Sequence, residues 1–372
     1  MPTTSQQTVP IAQPQITEEE KRRVLEVLES GHLVAGRWVR EFERAFAEYL
    51  GAAHAVAASS GTTALMVAVE AVGIRPGARV ITTPFSFGAT ANALLHRGAR
   101  PVFVDIDPRT YNLDPDAVDE AVRRTPDVQG ILPVHLYGLP CQMDALDRIA
   151  RTHGLTVIED AAQAHGAAFG GRRVGTFGAA AMFSFYPTKN LMTGEGGMLT
   201  TNDAAVADRA RLLIDCGTRE RYVYETLGYN FRMNEIEGAL GATQLPLLEG
   251  RNARRREHAA RLSAGLGDLD WLVLPYEPPG CLHVYHQYTL RVPRVRDRLV
   301  RHLDAHGIGT RVYYPTPIHK SPLYEREGYG TVRCPEAERA ADEVVSIPVH
   351  PALTDDAVER VIRAVRGFDA RG

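Results

Sequence analysis

What this chain has little of narrows it first. Its four cysteines, Cys141, Cys216, Cys281 and Cys334, are scattered without metal-ligand pairing or a disulfide framework, so a reduced protein with no structural metal is expected. No run approaches the roughly 18–20 apolar residues of a membrane span. The start, Met1-Pro-Thr-Thr-Ser-Gln-Gln, lacks the basic-then-apolar pattern of a leader; the expectation is a soluble, cytoplasmic protein. Neither sign of charge dominates, since 42 basic residues stand against 45 acidic ones, and this leaves no broad basic field for nucleic acid. The one basic concentration, Arg251 to Arg256, reads as a solvated helix face. A Gly-x-Gly-x-x-Gly turn after the first strand-like stretch is also missing; Ser59-Ser60-Gly61-Thr62-Thr63 stands there instead, which argues against a nicotinamide-dependent dehydrogenase.

What is present is a long alternation. At 372 residues and 44% hydrophobic, the chain suffices for a large core and a second, smaller one. Thr17-Glu-Glu-Glu20 has capping-box spacing and predicts a helix to about Ser30. A second helix is expected over 37–50, ending at Gly51. From His54–Ala58 onward, short apolar strands (Arg79–Thr83, Pro101–Asp105, Gly130–His135, Thr156–Asp160, Ala180–Phe185 and Met198–Thr201) alternate with helical segments. This predicts an α/β fold with a mostly parallel sheet, whose ligands lie beyond the carboxyl ends of the strands. After about Pro246 the texture changes to an arginine-rich helix, a proline-rich stretch, strands near 287–292 and 311–314, and a last helix near 355–367. The predicted division is an arm plus large domain over 1–250 and a small α+β domain over 251–372.

Polar residues at strand ends are therefore the candidates. Phe183-Ser-Phe-Tyr-Pro-Thr-Lys189 leads from an apolar strand into Gly194-Glu-Gly-Gly197, and a lysine partly desolvated by aromatic neighbours acquires the lowered proton affinity that an amine nucleophile and base needs. Asp160 ends another apolar strand and, beside Lys189, suits the nitrogen of a pyridinium ring. Gln163 would line that ring or contact its phenolic oxygen. Ser59 to Thr63, at a predicted helix N-terminus, suits a phosphate, with the Ser184 hydroxyl as a further donor and Phe87 as a ring to stack on the cofactor. Together these residues point to pyridoxal 5'-phosphate.

In this order the motifs resemble those of the DegT/DnrJ/EryC1/StrS family of pyridoxal-phosphate-dependent sugar aminotransferases. The resemblance spans nearly the whole chain and rests on Ser60-Gly61-Thr62, Pro84-Phe85-Ser-Phe87, Glu159-Asp160-Ala-Ala-Gln163, Phe183 to Lys189, Gly194 to Gly197, Tyr229-Asn230-Phe-Arg232 and Tyr313-Tyr314-Pro315 with His319. It implies the aspartate-aminotransferase-like fold (fold type I) and a homodimer with composite sites. It also implies Lys189 as the Schiff-base lysine, Asp160 at the ring nitrogen, Gln163 at the ring, Gly61, Thr62 and Ser184 at the phosphate, and Phe87 stacked on the ring. Asn230 or Arg232 would reach the phosphate of the partner subunit. Arg219, Arg221, Tyr222, Tyr313, Tyr314 and His319 lie in segments that approach substrate in the family. The activity implied is transfer of an amino group, usually from L-glutamate by way of pyridoxamine phosphate, to a nucleotide-linked keto-sugar. The Gly194-Glu-Gly-Gly197 loop leans toward amination at C4 rather than C3. Keto-inositols are an alternative acceptor, and a non-catalytic cofactor-binding regulator is an alternative of another class. A related dehydratase branch carries histidine where this chain has Lys189.

Overall fold

A seven-stranded sheet carries the candidate residues. The computed structural model describes residues 8–371; the stretch 1–7, where a leader was sought, lies outside the described residues. After α1 (Glu18–Ser30) and α2 (Arg37–Leu50), the chain alternates through β1 (His54–Ala58), α3 (Gly61–Ala71), β2 (Arg79–Thr82), α4 (Ala89–His96), β3 (Arg100–Phe103), α5 (Pro115–Arg124), β4 (Val128–Leu132), α6 (Met143–His153) and β5 (Thr156–Asp160). A small hairpin, β6 (Ala168–Phe169) and β7 (Arg172–Arg173), precedes β8 (Ala180–Ser184), β9 (Gly197–Thr201) and α7 (Ala204–Ile214). The sheet order is β1-β9-β8-β5-β4-β2-β3, with β9 antiparallel to both neighbours and the remaining pairs parallel. Helices cover both faces, so strands such as β8 and β9 are buried along nearly their whole length, which is why they read as apolar runs rather than alternating ones.

The predicted capping box forms: the Glu20 N–H donates to Thr17 Oγ1 at 3.2 Å and the Thr17 N–H to Glu20 Oε2 at 2.7 Å. Beyond the sheet come a hairpin, β10 (Thr218–Glu220) and β11 (Val223–Tyr224), then α8 (Glu235–Gln244), α9 (Leu248–Leu266), β12 (Cys281–Leu282), β13 (Tyr288–Arg291), α10 (Arg296–Ala305) and β14 (Val344–Ile347), with a last helix over Asp355–Arg366. A second apolar core joins α9, α10, the β13–β14 pair and that last helix, and Val9 of the arm enters it. The boundary expected near 250 falls in the first turn of α9.

Three sequence expectations change. Residues 311–314 form no strand. A single bridge joins Arg311 to Ser346, because Tyr314 turns to φ 61° ahead of Pro315 and a ladder cannot continue through that conformation. Residues from Ile318 to Ala341, assigned by sequence to the small domain, pack instead on the core of the large sheet. The arginine run is not a uniformly solvated face either. Consecutive helical residues diverge by about 100°, so Arg254 pairs with Glu257 at 2.6 Å and Asp355 at 2.7 Å, Arg256 pairs with Glu277 at 2.8 Å, and Arg255 between them is buried. Among the described residues no helix is long and apolar enough to cross a membrane, and no group of three or more His, Cys, Asp or Glu side chains is placed to hold a metal ion.

Candidate active site

Lys189 sits in the turn that follows β8. Its N–H donates to Tyr186 O at 2.8 Å, closing the turn, while the Phe185 N–H donates to Gly196 O and the Thr193 N–H to Phe185 O, each at 2.9 Å. These bonds clamp the lysine turn to the glycine loop. Gly196 has φ 128°, and a Cβ there would lie 2.6 Å from Thr193 Oγ1, so the loop needs glycine for both conformation and space. Phe183 and Phe185 are fully buried against Phe46; Tyr186, expected to help desolvate the lysine, is exposed. Lys189 itself is half-buried, and its amine makes no hydrogen bond among the described residues. Burial lowers the amine to about 8, with Asp160 opposing, which leaves an appreciable fraction as free base near neutrality.

Asp160 closes β5 and is buried. Burial raises its carboxyl above the usual carboxylate range; hydrogen bonds from Thr90 and Ala162 and the Lys189 charge pull the other way. Thr90 Oγ1 donates to Asp160 Oδ2 at 2.8 Å and itself lies 2.9 Å from Ser86 Oγ, and the Ala162 N–H reaches Oδ1 at 3.2 Å. The preceding Glu159 anchors the strand end from the opposite face. It accepts from the N–H groups of Gly175, Phe177 and Gly178 at 2.8, 2.7 and 2.8 Å. His135 lies 3.1 Å away through Nε2. Because His135 Nδ1 accepts the Cys141 N–H at 3.0 Å, the ring proton is on Nε2 and is donated to Glu159. Gln163 is locked at both ends, Oε1 accepting from the Tyr137 N–H at 2.7 Å and Nε2 donating to the Tyr314 hydroxyl at 2.6 Å.

The Ser-Gly-Thr turn packs directly on the end of β8. Ser60 caps α3 in a reciprocal box with Thr63, so the N–H groups of Gly61 and Thr62 stay free of protein acceptors among the described residues. A Cβ on Gly61 would stand 2.6 Å from Ser184 Cβ, so only glycine lets the helix start meet the Ser184 hydroxyl. Two N–H groups, a hydroxyl and a helix N-terminus suit a phosphate. Phe87, in the loop after β2, leaves its ring 67% exposed, whereas its neighbour Phe85 is buried against Tyr111 and Tyr314. The free amine, the buried carboxylate, the close-packed cradle and the uncovered ring fit pyridoxal phosphate.

The other candidates separate. Tyr314 reaches Gln163 and faces Asp160, and Tyr313 lies beside it at 6.2 Å between ring centroids. His319 is kept out of this group: it is fully buried, bonded through Nε2 to Glu338 at 3.0 Å and packed on Phe103. Arg219 is committed to Asp208 and to Glu225, and Tyr222 projects from the β10–β11 hairpin into solvent with Tyr224 and Leu227. Asn230 is exposed, while Arg232 is held by Asp215 at 2.5 Å. Sequence reasoning assigned no role to Thr90, Glu159 or Glu235. Glu235 accepts the N–H groups of Gly36, Trp38 and Val39 at 2.7, 3.0 and 3.0 Å and so caps α2 from nearly 200 positions away. Glu159 lies inside the Glu159–Gln163 motif read from the sequence, and Thr90 lies three residues beyond Phe87 of another; that nearness was the signal available for them.

Fold and site together define a pyridoxal-phosphate-dependent transferase of fold type I, built round a strand-end lysine. The chain belongs to the DegT/DnrJ/EryC1/StrS aminotransferase family, whose model matches residues 14–366. It is 43% identical over 359 residues to a "pleiotropic regulatory protein" of Geobacillus stearothermophilus, covering 95% of each chain. It is 42% identical over 354 residues to the dTDP-3-amino-3,4,6-trideoxy-alpha-D-glucose transaminase of Streptomyces venezuelae, covering 95% of this chain and 93% of that one. Among solved structures, NtdA of Bacillus subtilis, with its cofactor PMP bound, superposes with a TM-score of 0.87 at 31% identity, over 94% of this chain and 82% of that one.

Proposed function

We propose that this aminotransferase moves an amino group from an amino acid, L-glutamate, to the keto group of a nucleotide-linked hexose. The observation that carries the reading is an unpaired, burial-lowered amine on Lys189 in the field of a buried Asp160 carboxylate. Bound in this site, pyridoxal phosphate supplies an aldehyde for amines and a ring that accepts electrons. Gly61, Thr62 and Ser184 hold the phosphate through two N–H groups and a hydroxyl. Asp160 Oδ would hold the ring nitrogen and favour its protonated form. Gln163 would fix the edge of the ring and Phe87 would cover a face. Lys189 Nζ would anchor the cofactor and, as a free amine, serve as the base positioned at the donor α-carbon, a general-base role worth about 10²–10⁴-fold.

Asn230 rather than Arg232 is assigned to the phosphate of a partner subunit in a homodimer, because Arg232 is already engaged by Asp215. The exposed Tyr222, Tyr224 and Leu227 of the neighbouring segment suit burial against a second copy. Domains over 1–250 and 251–372, the latter lending 318–341 to the large core, complete the reading.

The name of the Streptomyces venezuelae relative supports a sugar carrying its amine at C3, whereas the Gly194–Gly197 loop favours C4. The test takes both. The purified protein is loaded with L-glutamate until the pyridoxal spectrum is lost, then offered 3-keto and 4-keto nucleotide-sugars and keto-inositols. Return of the spectrum with one nucleotide-sugar is the expected result. Return with keto-inositol alone moves the assignment to cyclitols, and no response to any amino donor points to a regulator.

A further inference from the structure

Arg255 is 6% exposed, yet no carboxylate lies within ion-pair distance of it among the described residues. Its Nη1 donates to the carbonyls of Tyr285 and His286 at 3.2 and 3.3 Å, Nε has no partner, and Nη2 enters no hydrogen bond among the described residues. Nε and Nη2 form one straight edge of the guanidinium, the edge that matches a carboxylate with two parallel N–H···O bonds. A buried cation without a counter-ion is costly, and its surroundings add no negative charge. Arg251, one turn earlier, is a second cation, bonded to Gln244 Oε1 at 2.7 Å and Gln15 O at 3.2 Å. Glu20, the nearby carboxylate, is taken up by Thr17 and Gln244. His286 and His165, between Arg255 and Lys189, are kept neutral by burial.

Arg255 also lines a cavity of about 30 Å³ that Lys189 and Asn190 wall on one side, and Arg251, His350 and the arm near Gln15 on the other. About 10–15 Å³ of such space holds one water molecule, so the cavity has room for the oxygens of a carboxylate. We infer that the Nε–Nη2 edge of Arg255 is a binding site for a small carboxylate, that of the amino donor, beside the Lys189 amine. The inference rests on the amino-acid-donor reading above and names the residue that recognises the donor.

The test uses Arg255→Gln and Arg255→Lys in the pyridoxal-phosphate-loaded protein. L-glutamate is titrated while the cofactor spectrum is followed, and calorimetry measures the binding of glutarate, which has both carboxylates and no amine. In Arg255→Gln the half-saturating L-glutamate and the glutarate dissociation constant rise about 10- to 100-fold, less in Arg255→Lys, with cofactor affinity and Tm close to wild type. Wild-type protein that does not bind glutarate, or variants that bind it as wild type does, overturn the inference. So does weakening that follows loss of cofactor and Tm in both variants, since that marks a purely structural role. Glutarate binding lost in Arg255→Gln, in a protein whose spectrum ignores L-glutamate, keeps the site and removes the donor reading.

Discussion

Thr90 donates a 2.8 Å hydrogen bond from its hydroxyl to Asp160 Oδ2, joining the first turn of α4 to the end of β5 across 70 positions of sequence. The bond favours the ionised carboxyl, against burial, which disfavours it. Replacing Thr90 with Val keeps the shape and removes the donor. A hydrogen bond to a charged group is worth about 1.5–3 kcal/mol, or about one to two pK units. In Thr90→Val the Asp160 carboxyl therefore protonates at higher pH, and the acid limb of the kcat profile moves up by about that amount. An unmoved acid limb would show that Thr90 only packs.

Lys189→Ala removes the amine proposed to meet the cofactor. Turnover falls to background and the absorbance of lysine-linked cofactor disappears, while the fold, read by circular dichroism, persists. The wild-type amine also sets a pH dependence. Because its proton affinity is lowered to about 8, the neutral, reactive fraction grows as pH rises through that value rather than through the usual lysine range near 10.4. Borohydride trapping of pyridoxal on cofactor-free protein should follow this curve, and a midpoint near 10 contradicts it.

Gly61→Ala tests the phosphate cradle. The added Cβ would lie 2.6 Å from Ser184 Cβ and 3.1 Å from its Cα, so α3 must withdraw from β8. Overpacking of this kind costs about 1–3 kcal/mol, and the displaced N–H groups lose their aim at the phosphate. Both Tm and cofactor affinity drop. Wild-type affinity in a destabilised protein would place the phosphate elsewhere.

Phe87→Ala separates binding from stability. The ring is largely exposed and supports no core, so stability stays within about 0.5 kcal/mol of wild type. A stacked aromatic ring is worth about 0.5–1.5 kcal/mol beyond its area, and cofactor affinity weakens by at least that. Equal affinity in the variant removes Phe87 from the cofactor site.

Much was legible in advance where function and fold depend on neighbours in sequence. The strand ending at Asp160, the turn holding Lys189, the Ser60 cap of α3 and the Thr17–Glu20 box each need only a few adjacent residues, and each forms where its pattern placed it. His319 was drawn toward substrate by its place in a motif, yet Glu338 and Phe103 hold it in a separate buried pocket. The Arg254–Arg256 run looked uniform, but the helical rotation gives each arginine a different environment.

Taken alone, the sequence determined the alternating fold, the lysine and carboxylate at strand ends, and the glycines beside them, because local propensity and apolar periodicity are written in contiguous residues. Only the tertiary structure decided that Thr90 restrains Asp160, that Glu235 caps α2, that Tyr314 locks Gln163 and that Arg255 is a buried cation facing the Lys189 cavity. Each of those pairings joins residues about 65 to 200 positions apart, and such partners are chosen by how the sheet and the long helix pack, which no local pattern encodes.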